Sequence, residues 1–314
     1  MKQQITAQRV VMYVLILLTL FFLSKNLWTD WQSVTNYEFS LDFARLLSAS
    51  IMLIAAYVSF AVMWNTILRK TETQSTLSHF QAVKIYMMTE LAKYLPGKIW
   101  SVTGKIYLGA RLGIPKKSLL VSSLINAVLH IIGILFVGAV FLILSLPVYP
   151  AIVLLTAVVI IALGLIGLHP KIFYPITNFI LNKIGKNSIP KEMGLSYKKI
   201  IKFFITYMAV DIFLGAAFYV FVAALTPVSV DNFFLIVSSF CLASGLGMVA
   251  FFTPSGLGVR EGVMVAILQL VIPGPVAVLV SFFARVWVTI AEIVLLAIVV
   301  VMSKISVLTK ERGS

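Results

Sequence analysis

One stretch of the sequence decides the fold: FTPSGLGVREG at residues 252–262, which interrupts an apolar region running from 232 to 272. Proline lacks the N–H that a helix needs, and clustered glycines end helices. In a membrane, such an interruption is tolerated only where it is buried in protein or lines a cavity. We therefore interpret 232–272 as a broken, re-entrant helical hairpin.

The composition of the chain is that of a membrane protein. Of its 314 residues, 61% are hydrophobic and only 11% are charged, whereas a soluble domain carries about 25% charged residues. The apolar residues form runs long enough to cross a hydrocarbon layer of roughly 30 Å. Each run must be a helix, because its backbone finds no water to bond. The sequence predicts an all-α polytopic membrane protein.

The apolar runs predict six full spans, within a single membrane domain over 1–314. The spans are placed at 10–23 (extending to 28 at most), 43–67, 118–146, 150–168, 200–225 and 276–302. A second broken region covers 78–112, where Leu95-Pro96-Gly97 interrupts it. The stretch 171–184 has apolar residues at helical spacing with lysines at its edges, which predicts an amphipathic helix at the cytoplasmic interface.

The positions of the basic residues predict the orientation. Four segments hold 21 of the 25 lysines and arginines, and the opposite side holds only Lys25 and Arg45; the four segments are 1–9, 68–117, 169–202 and 303–314. Cytoplasmic loops are enriched in basic residues. We expect a protein of the cytoplasmic (inner) membrane with both termini in the cytoplasm, which requires both broken regions to return to the side they came from.

The two broken regions occupy equivalent places in two halves of the chain. Each half, 43–146 and 200–302, reads as span, broken region, span, and the two halves enter the membrane from opposite sides. Three landmark pairs are each 158 residues apart: Pro96 and Pro254, Gly104 and Gly262, Pro115 and Pro273. Inverted repeats with broken helices are common in transporters, whose sites lie between the repeats.

The breaks also carry the candidate residues for an anionic headgroup. A helix beginning near Gly262 directs its N–H groups and positive dipole end at the break, and an arginine suits a phosphate. The candidates are Pro254, Gly256, Gly258, Arg260 and Glu261 in the second break, with Pro96, Gly97 and Lys98 in the first. The alternative is that Arg260 and Glu261 pair with each other or with neighbours and only brace the hairpin.

Ionisable and polar residues inside the apolar regions form a second group of candidates: Glu90, Asn126, His130, Asp211, Arg285 and Glu292. Charges inside a membrane are costly and mark functional sites by default. Asp211 and Glu292 are candidate proton carriers. Two structural alternatives stand beside this: a pair between Asp211 and Arg285, and a helix-packing hydrogen bond for His130.

Other functional classes are excluded by what the sequence does not contain. The basic residues lie beside the ends of apolar runs, where they contact lipid headgroups rather than nucleic acid. Cys241 is the single cysteine, so disulfides and paired-cysteine metal sites are excluded. There is no GxxxxGK[ST], GxSxG or HExxH pattern. We expect no catalytic residue, no bound metal and no cofactor.

Two motifs resemble one known family. ELAKYLPGKIW at 90–100 and TPSGLGVRE at 253–261 are similar to the lysylphosphatidylglycerol synthase transmembrane region family, also called flippase-like membrane proteins, and the resemblance covers nearly the whole chain. It implies a lipid-flipping domain, fused in some members to a cytoplasmic aminoacyl transferase. No stretch here corresponds to that transferase, so of the family's two activities the resemblance implies translocation of lipid and not synthesis.

The resemblance also defines the substrates and partners to expect. The substrate would be an anionic phospholipid, an aminoacylated phospholipid or a polyprenyl-phosphate-linked glycolipid. The alternatives are a membrane-embedded transferase, or an accessory subunit in lipid or cell-surface glycan synthesis. The expected partners are membrane lipids and, for an accessory subunit, the synthesising enzymes.

The predicted topology can be tested with reporter fusions. Fusions after residues 75, 190 and 314 should report a cytoplasmic position, and fusions after 35, 148 and 228 an external one, because of the distribution of basic residues. If the fusions after 190 and 314 lie on opposite sides, the region 232–272 crosses the membrane as an ordinary span and the repeat is disproved.

Overall fold

The computed structural model describes residues 37, 39–72, 77–94, 100–145, 155, 159, 162–163, 166–183, 189–190, 193–250 and 253–311. The predicted first span at 10–23 lies outside the described residues, as do Pro96, Gly97 and Lys98 of the first break. Most of the predicted span 150–168 also lies outside them.

The described residues form nine α-helices and contain no strand, which confirms the all-α prediction. The helices are α1 Phe43–Thr71, α2 His79–Glu90, α3 Trp100–Ala110, α4 Lys116–Ser145, α5 Pro170–Lys183, α6 Tyr197–Leu225, α7 Phe233–Val249, α8 Val259–Leu268 and α9 Gly274–Glu311. Five segments are long and apolar enough to cross a membrane: Phe43–Thr71, Lys116–Ser145, Tyr197–Leu225, Val230–Val249 and Gly274–Lys304. The protein is therefore a polytopic helical membrane protein.

Local capping explains where two of these helices begin. Asp42 precedes α1, and its side chain accepts a hydrogen bond from the backbone N–H of Arg45 at 3.0 Å. Ser78 precedes α2 and exchanges hydrogen bonds with Gln81: each side chain accepts from the other residue's backbone N–H. These bonds satisfy N–H groups that have no partner within the helix.

Contacts between helix ends fix the directions of the helices. Asp42 donates its backbone N–H to the Ala224 carbonyl at 2.9 Å, so α1 begins where α6 ends. At the other end of α1, Ser118 of α4 donates to the Glu72 carboxylate at 2.8 Å. The α1 and α6 helices therefore run in opposite directions, and α4 returns from the end of α1.

In both broken regions the described residues contain an interruption of the helix. The α2 helix ends at Glu90 and continues as a 3₁₀ turn, Leu91–Tyr94, before α3 begins at Trp100. In the second break, a 3₁₀ turn at Pro254–Gly256 lies between α7 and α8. Three residues there have positive φ: Ser255 at 51°, Gly256 at 70° and Gly258 at 89°. The two 3₁₀ turns contact each other, so the breaks meet inside the protein.

The helix boundaries repeat with the spacing found in the sequence. The last residues of α3 and α8, Ala110 and Leu268, are 158 positions apart. The first residues of α4 and α9, Lys116 and Gly274, are also 158 positions apart. The order of a long helix, a broken pair and a long helix thus occurs twice, in register.

The α5 helix coincides with the stretch 171–184 that was predicted to be amphipathic. Phe173 is buried against the rest of the protein, whereas Ile176 and Phe179 on the same helix are exposed. Asn178 accepts a hydrogen bond from the backbone N–H of Ile189 at 2.8 Å, which attaches the helix to the following segment.

Close packing at Gly256 yields a test of the second break. A Cβ atom at this residue would lie 2.6 Å from the Gly247 Cα, and its φ of +70° disfavours any side chain. Gly256→Ala should therefore destabilise the protein by about 1–3 kcal/mol, measured as a lower melting temperature in detergent. Gly262→Ala is the matched control, because a Cβ there meets nothing within 4 Å. Equal melting temperatures for the two variants would contradict the packing of the break.

Candidate functional site

A cavity of about 270 Å³ lies where the two breaks meet. The first turns of both short helices reach it: α3 contributes Ser101, and α8 contributes Arg260. The long helices α1 and α4 and the helix α7 complete its wall. Because the N-terminus of a helix carries a partial positive charge, two such termini at one cavity favour an anion.

Arg260 lines this cavity, as its position in the break suggested. Its guanidinium lies 5.2 Å from the centroid of the Phe240 ring, which is cation–π distance. Among the described residues it has no carboxylate within 4.0 Å. The alternative of a structural pair is therefore wrong for Arg260 but holds for Glu261, which pairs with its neighbour Arg285.

Glu261 is occupied by the break itself. Its carboxylate accepts a hydrogen bond from the backbone N–H of Gly258 at 2.7 Å and pairs with Arg285 of α9. Gly258 precedes the first residue of α8, while Pro254 and Gly256 form the turn before it. Glu261, Gly256 and Gly258 are not among the described residues that line the cavity: they hold the α8 N-terminus in place, with Arg285 as the anchor.

The first break contributes an ion network. Lys93 Nζ lies 3.3 Å from Glu90 Oε1 and 2.5 Å from Glu292 Oε1. Glu292 is fully buried and also accepts a hydrogen bond from the Tyr57 hydroxyl at 2.5 Å. Glu90, Lys93 and Tyr57 line the cavity, so this network joins the first break to α9 of the second half.

Lys105 lines the cavity but is not among the residues predicted from the sequence. Its Nζ lies 4.0 Å from the Tyr86 ring centroid and 5.5 Å from that of Trp64, and the residue is 5% exposed. Within the described residues it has no ion pair or hydrogen bond. In the sequence, Gly104-Lys105 lacks the rest of a phosphate-loop pattern and gives no motif. The sequence feature that could have predicted Lys105 is a lysine inside the helix that follows the break.

His130 and Asp211 form a buried pair at the cavity wall. His130 Nε2 lies 3.2 Å from Asp211 Oδ1, and Asp211 is fully buried. The predicted alternative of a pair between Asp211 and Arg285 is wrong, since Arg285 pairs with Glu261. A second polar contact lies alongside: the Tyr207 hydroxyl donates to Asn126 Oδ1 at 2.5 Å.

The lining residues give the cavity a net positive character. Of its cations, Lys93 contacts the carboxylates of Glu90 and Glu292, whereas Lys105 and Arg260 have no carboxylate within 4.0 Å among the described residues. The hydroxyls of Ser123 and Ser244 also line it and are buried without a hydrogen-bond partner in the same set. Free cations beside unused donors suit an anionic group rich in oxygen. The described residues contain no cluster of metal ligands.

Comparison with known proteins agrees with the architecture. The profile of the family described as lysylphosphatidylglycerol synthase TM region matches residues 9–299, a range that includes both breaks and every residue named at the cavity. No curated protein matches the chain. Because the family match extends over nearly the whole sequence, the chain belongs to the lysylphosphatidylglycerol synthase TM region family.

Proposed function

We propose that this protein is a lipid translocase, or flippase, that moves an anionic phospholipid, an aminoacylated phospholipid or a polyprenyl-phosphate-linked glycolipid across the cytoplasmic membrane. Its family is one of membrane proteins of lipid biosynthesis and translocation. The observation that carries the proposal is the cavity between the two breaks, where Arg260 and Lys105 have no carboxylate partner among the described residues.

The proposal addresses a specific energetic problem. A charged headgroup crosses a layer that rejects charge, so a protein that moves it must supply fixed polar partners on the way. Here the N-termini of α3 and α8, together with Arg260 and Lys105, supply positive potential without needing to rearrange. Arginine can hold a phosphate through two parallel hydrogen bonds, and the buried hydroxyls of Ser123 and Ser244 can donate to its remaining oxygens.

We further propose that the two halves are inverted repeats and that both termini are cytoplasmic. The repeated helix boundaries 158 residues apart support the repeat, and the antiparallel α1 and α6 support the inversion. Two residues counted with the cytoplasmic segments, Lys93 and Lys105, line the cavity instead. The remaining basic residues keep the same strong bias, so the orientation still follows from them.

The transferase alternative requires a carboxylate or another base that is free to act. Each carboxylate at or behind the cavity has a cation or an imidazole beside it: Glu90 and Glu292 have Lys93, Glu261 has Arg285, and Asp211 has His130. Translocation needs no such base. Three of these carboxylates are held by ammonium or guanidinium groups, which supports the proposal of translocation, and the pair of His130 and Asp211 is the described acid–base group that a transferase would use.

Reconstitution separates these functions. Purified protein in liposomes that contain fluorescent phosphatidylglycerol should increase the fraction of label that a membrane-impermeant quencher reaches, and no new lipid product should appear in the extract. A modified lipid formed without a change in accessibility would favour the transferase. If neither activity appears, an accessory role remains, to be tested by co-purification with a synthesising enzyme.

The clamp on the headgroup can be tested at Arg260. Arg260→Lys keeps the charge but loses the planar fork, so transport should fall although the protein still folds. Arg260→Ala should weaken lipid binding and transport by about ten- to hundredfold, since a charge-assisted hydrogen bond contributes about 1.5–3 kcal/mol. The measurements are short-chain phosphatidylglycerol binding in detergent and flipping in liposomes.

Lys105→Met and Arg111→Gln complete this test. Lys105→Met keeps the length of the side chain and should weaken binding as Arg260→Ala does. Arg111 lies outside the cavity, with its guanidinium 5.8 Å from the Tyr107 ring, so Arg111→Gln should leave binding unchanged. Parental binding and transport in Arg260→Ala would show that Arg260 only braces the break.

A further inference from the structure

We propose that the pair of His130 and Asp211 is a proton site, and that it takes up a proton when an anionic headgroup enters the cavity. The inference rests on the proposed function, because it assigns the coupling ion of the same translocase. It makes the protein a proton-linked carrier, in which the headgroup's negative charge and the proton's positive charge are bound together.

The geometry shows that this pair is built to hold an exchangeable proton. Asp211 is fully buried, and neither of its carboxylate oxygens has a hydrogen-bond partner of good geometry among the described residues. The nearest polar atom is His130 Nε2, at 3.2 Å. An ionised carboxylate cannot be left uncompensated in such a place. Asp211 is therefore either protonated or beside an imidazolium, and in both states the pair holds one proton.

Among the described residues, the Asp211 carboxylate has no polar partner besides His130. A Cβ atom placed on Gly133 would lie 3.1 Å from Asp211 Oδ2, which shows how closely α4 covers the carboxylate. On α7, the Cys241 thiol points at the Asp211 backbone carbonyl rather than at the carboxylate. Phe60 of α1 covers the imidazole of His130, with ring centroids 4.3 Å apart.

His130 connects this buried proton to the cavity, since it lines the cavity while Asp211 lies behind it. The titratable and charged groups that share the cavity or contact the pair come from every helix packed against it: Tyr57 of α1, Tyr86 and Glu90 of α2, Lys93 of the turn after α2, Lys105 of α3, Tyr207 of α6, Cys241 of α7 and Arg260 of α8. Lys93 is shared between Glu90 and Glu292 of α9, whereas Lys105 and Arg260 have no carboxylate within 4.0 Å among the described residues. An anion brought in by those two cations adds a negative charge beside the imidazole.

That added charge favours a second proton on the pair. With one proton the pair is neutral overall, and with two it carries one positive charge, which the anion stabilises. By linkage, the proton then stabilises the bound anion by the same amount.

Glu292, the other carboxylate considered as a proton carrier, is placed differently. It lies 2.5 Å from the Lys93 ammonium and accepts a hydrogen bond from Tyr57. Its carboxylate already contacts an ammonium and a hydroxyl donor, whereas neither carboxylate oxygen of Asp211 has a hydrogen-bond partner among the described residues. The structure therefore favours the pair of His130 and Asp211 over Glu292 for coupling.

Calorimetry on the whole protein tests the proposal directly. The probe is short-chain phosphatidylglycerol, whose phosphodiester stays ionised from about pH 5.5 to 8.5, the range in which histidine titrates. Titrations in two buffers with different ionisation enthalpies give the number of protons taken up per lipid. We expect uptake approaching one proton, and an affinity that rises as the pH falls, by up to about tenfold per pH unit.

Matched variants show whether His130 and Asp211 are the residues that take up the proton. The double variant His130→Gln/Asp211→Asn removes both titratable groups of the pair, and between about pH 5.5 and 7 it should bind the lipid without proton uptake. Above that range Lys105, whose pKa burial lowers to about 8, also titrates. His79→Gln is the control: His79 begins α2 and lies near Asn65 rather than the cavity, so this variant should behave like the parent. A melting curve for each variant verifies folding. If the double variant does not fold, the proton uptake of the parent remains the test, because binding without uptake overturns the proton site.

The outcomes separate this inference from the proposed function. Lipid binding with no proton uptake by the parent would overturn the proton site and leave the translocase intact. Uptake that persists in the double variant would also overturn it, because another group would carry the proton. If the parent binds no phosphatidylglycerol at any pH and flips none in liposomes, the proposed function itself fails.

Discussion

A helix that breaks inside a membrane must find partners for the backbone groups that the break releases, because no water is there to replace them. The second break meets this constraint within the chain. Thr253 donates to the Ala250 carbonyl and Gly256 to the Thr253 carbonyl, and Gly258 donates to the Glu261 side chain. Arg285 of α9 then fixes Glu261. The break is thus stabilised by α9, and that engagement of Glu261 leaves Arg260 free to face the cavity.

The same constraint explains why the site lies where it does. Each break ends with a short helix, and the contact between the two turns brings the N-termini of α3 and α8 to one cavity. Positive potential at that place has two sources, the helix dipoles and the cations Lys105 and Arg260. Both are fixed by the fold, so under the proposed function the cavity would need no rearrangement to receive an anion. The aromatic faces of Tyr86 and Trp64 hold the Lys105 ammonium in the meantime.

Much of this architecture is encoded locally and can be predicted from the sequence. The apolar runs define the long helices, and the proline and glycine clusters define the breaks, because both signals act through the backbone. Pairing between side chains of different helices is not encoded in this way. The spacing of Arg285 and Glu292 places them on one face of α9, but packing gives them different partners, Glu261 and Lys93. Lys105 was missed for the same reason, since only the folded chain brings two aromatic rings to its ammonium.

The packing around the cavity is of two kinds, and they have different mechanical consequences. Along α4, α6 and α7, glycines let the helices touch: a Cβ at Gly138 would lie 2.9 Å from the Leu242 backbone nitrogen, and one at Gly215 would lie 2.4 Å from Val237 Cγ1. Such a contact cannot slide without clashing. Between the first break and α9, by contrast, the contacts at Lys93 and Glu292 are polar. Polar pairs can separate and re-form with other partners. Under the proposed function, a charged headgroup would therefore compete for the polar contacts at the first break and α9 rather than disturb the glycine contacts of α4, α6 and α7.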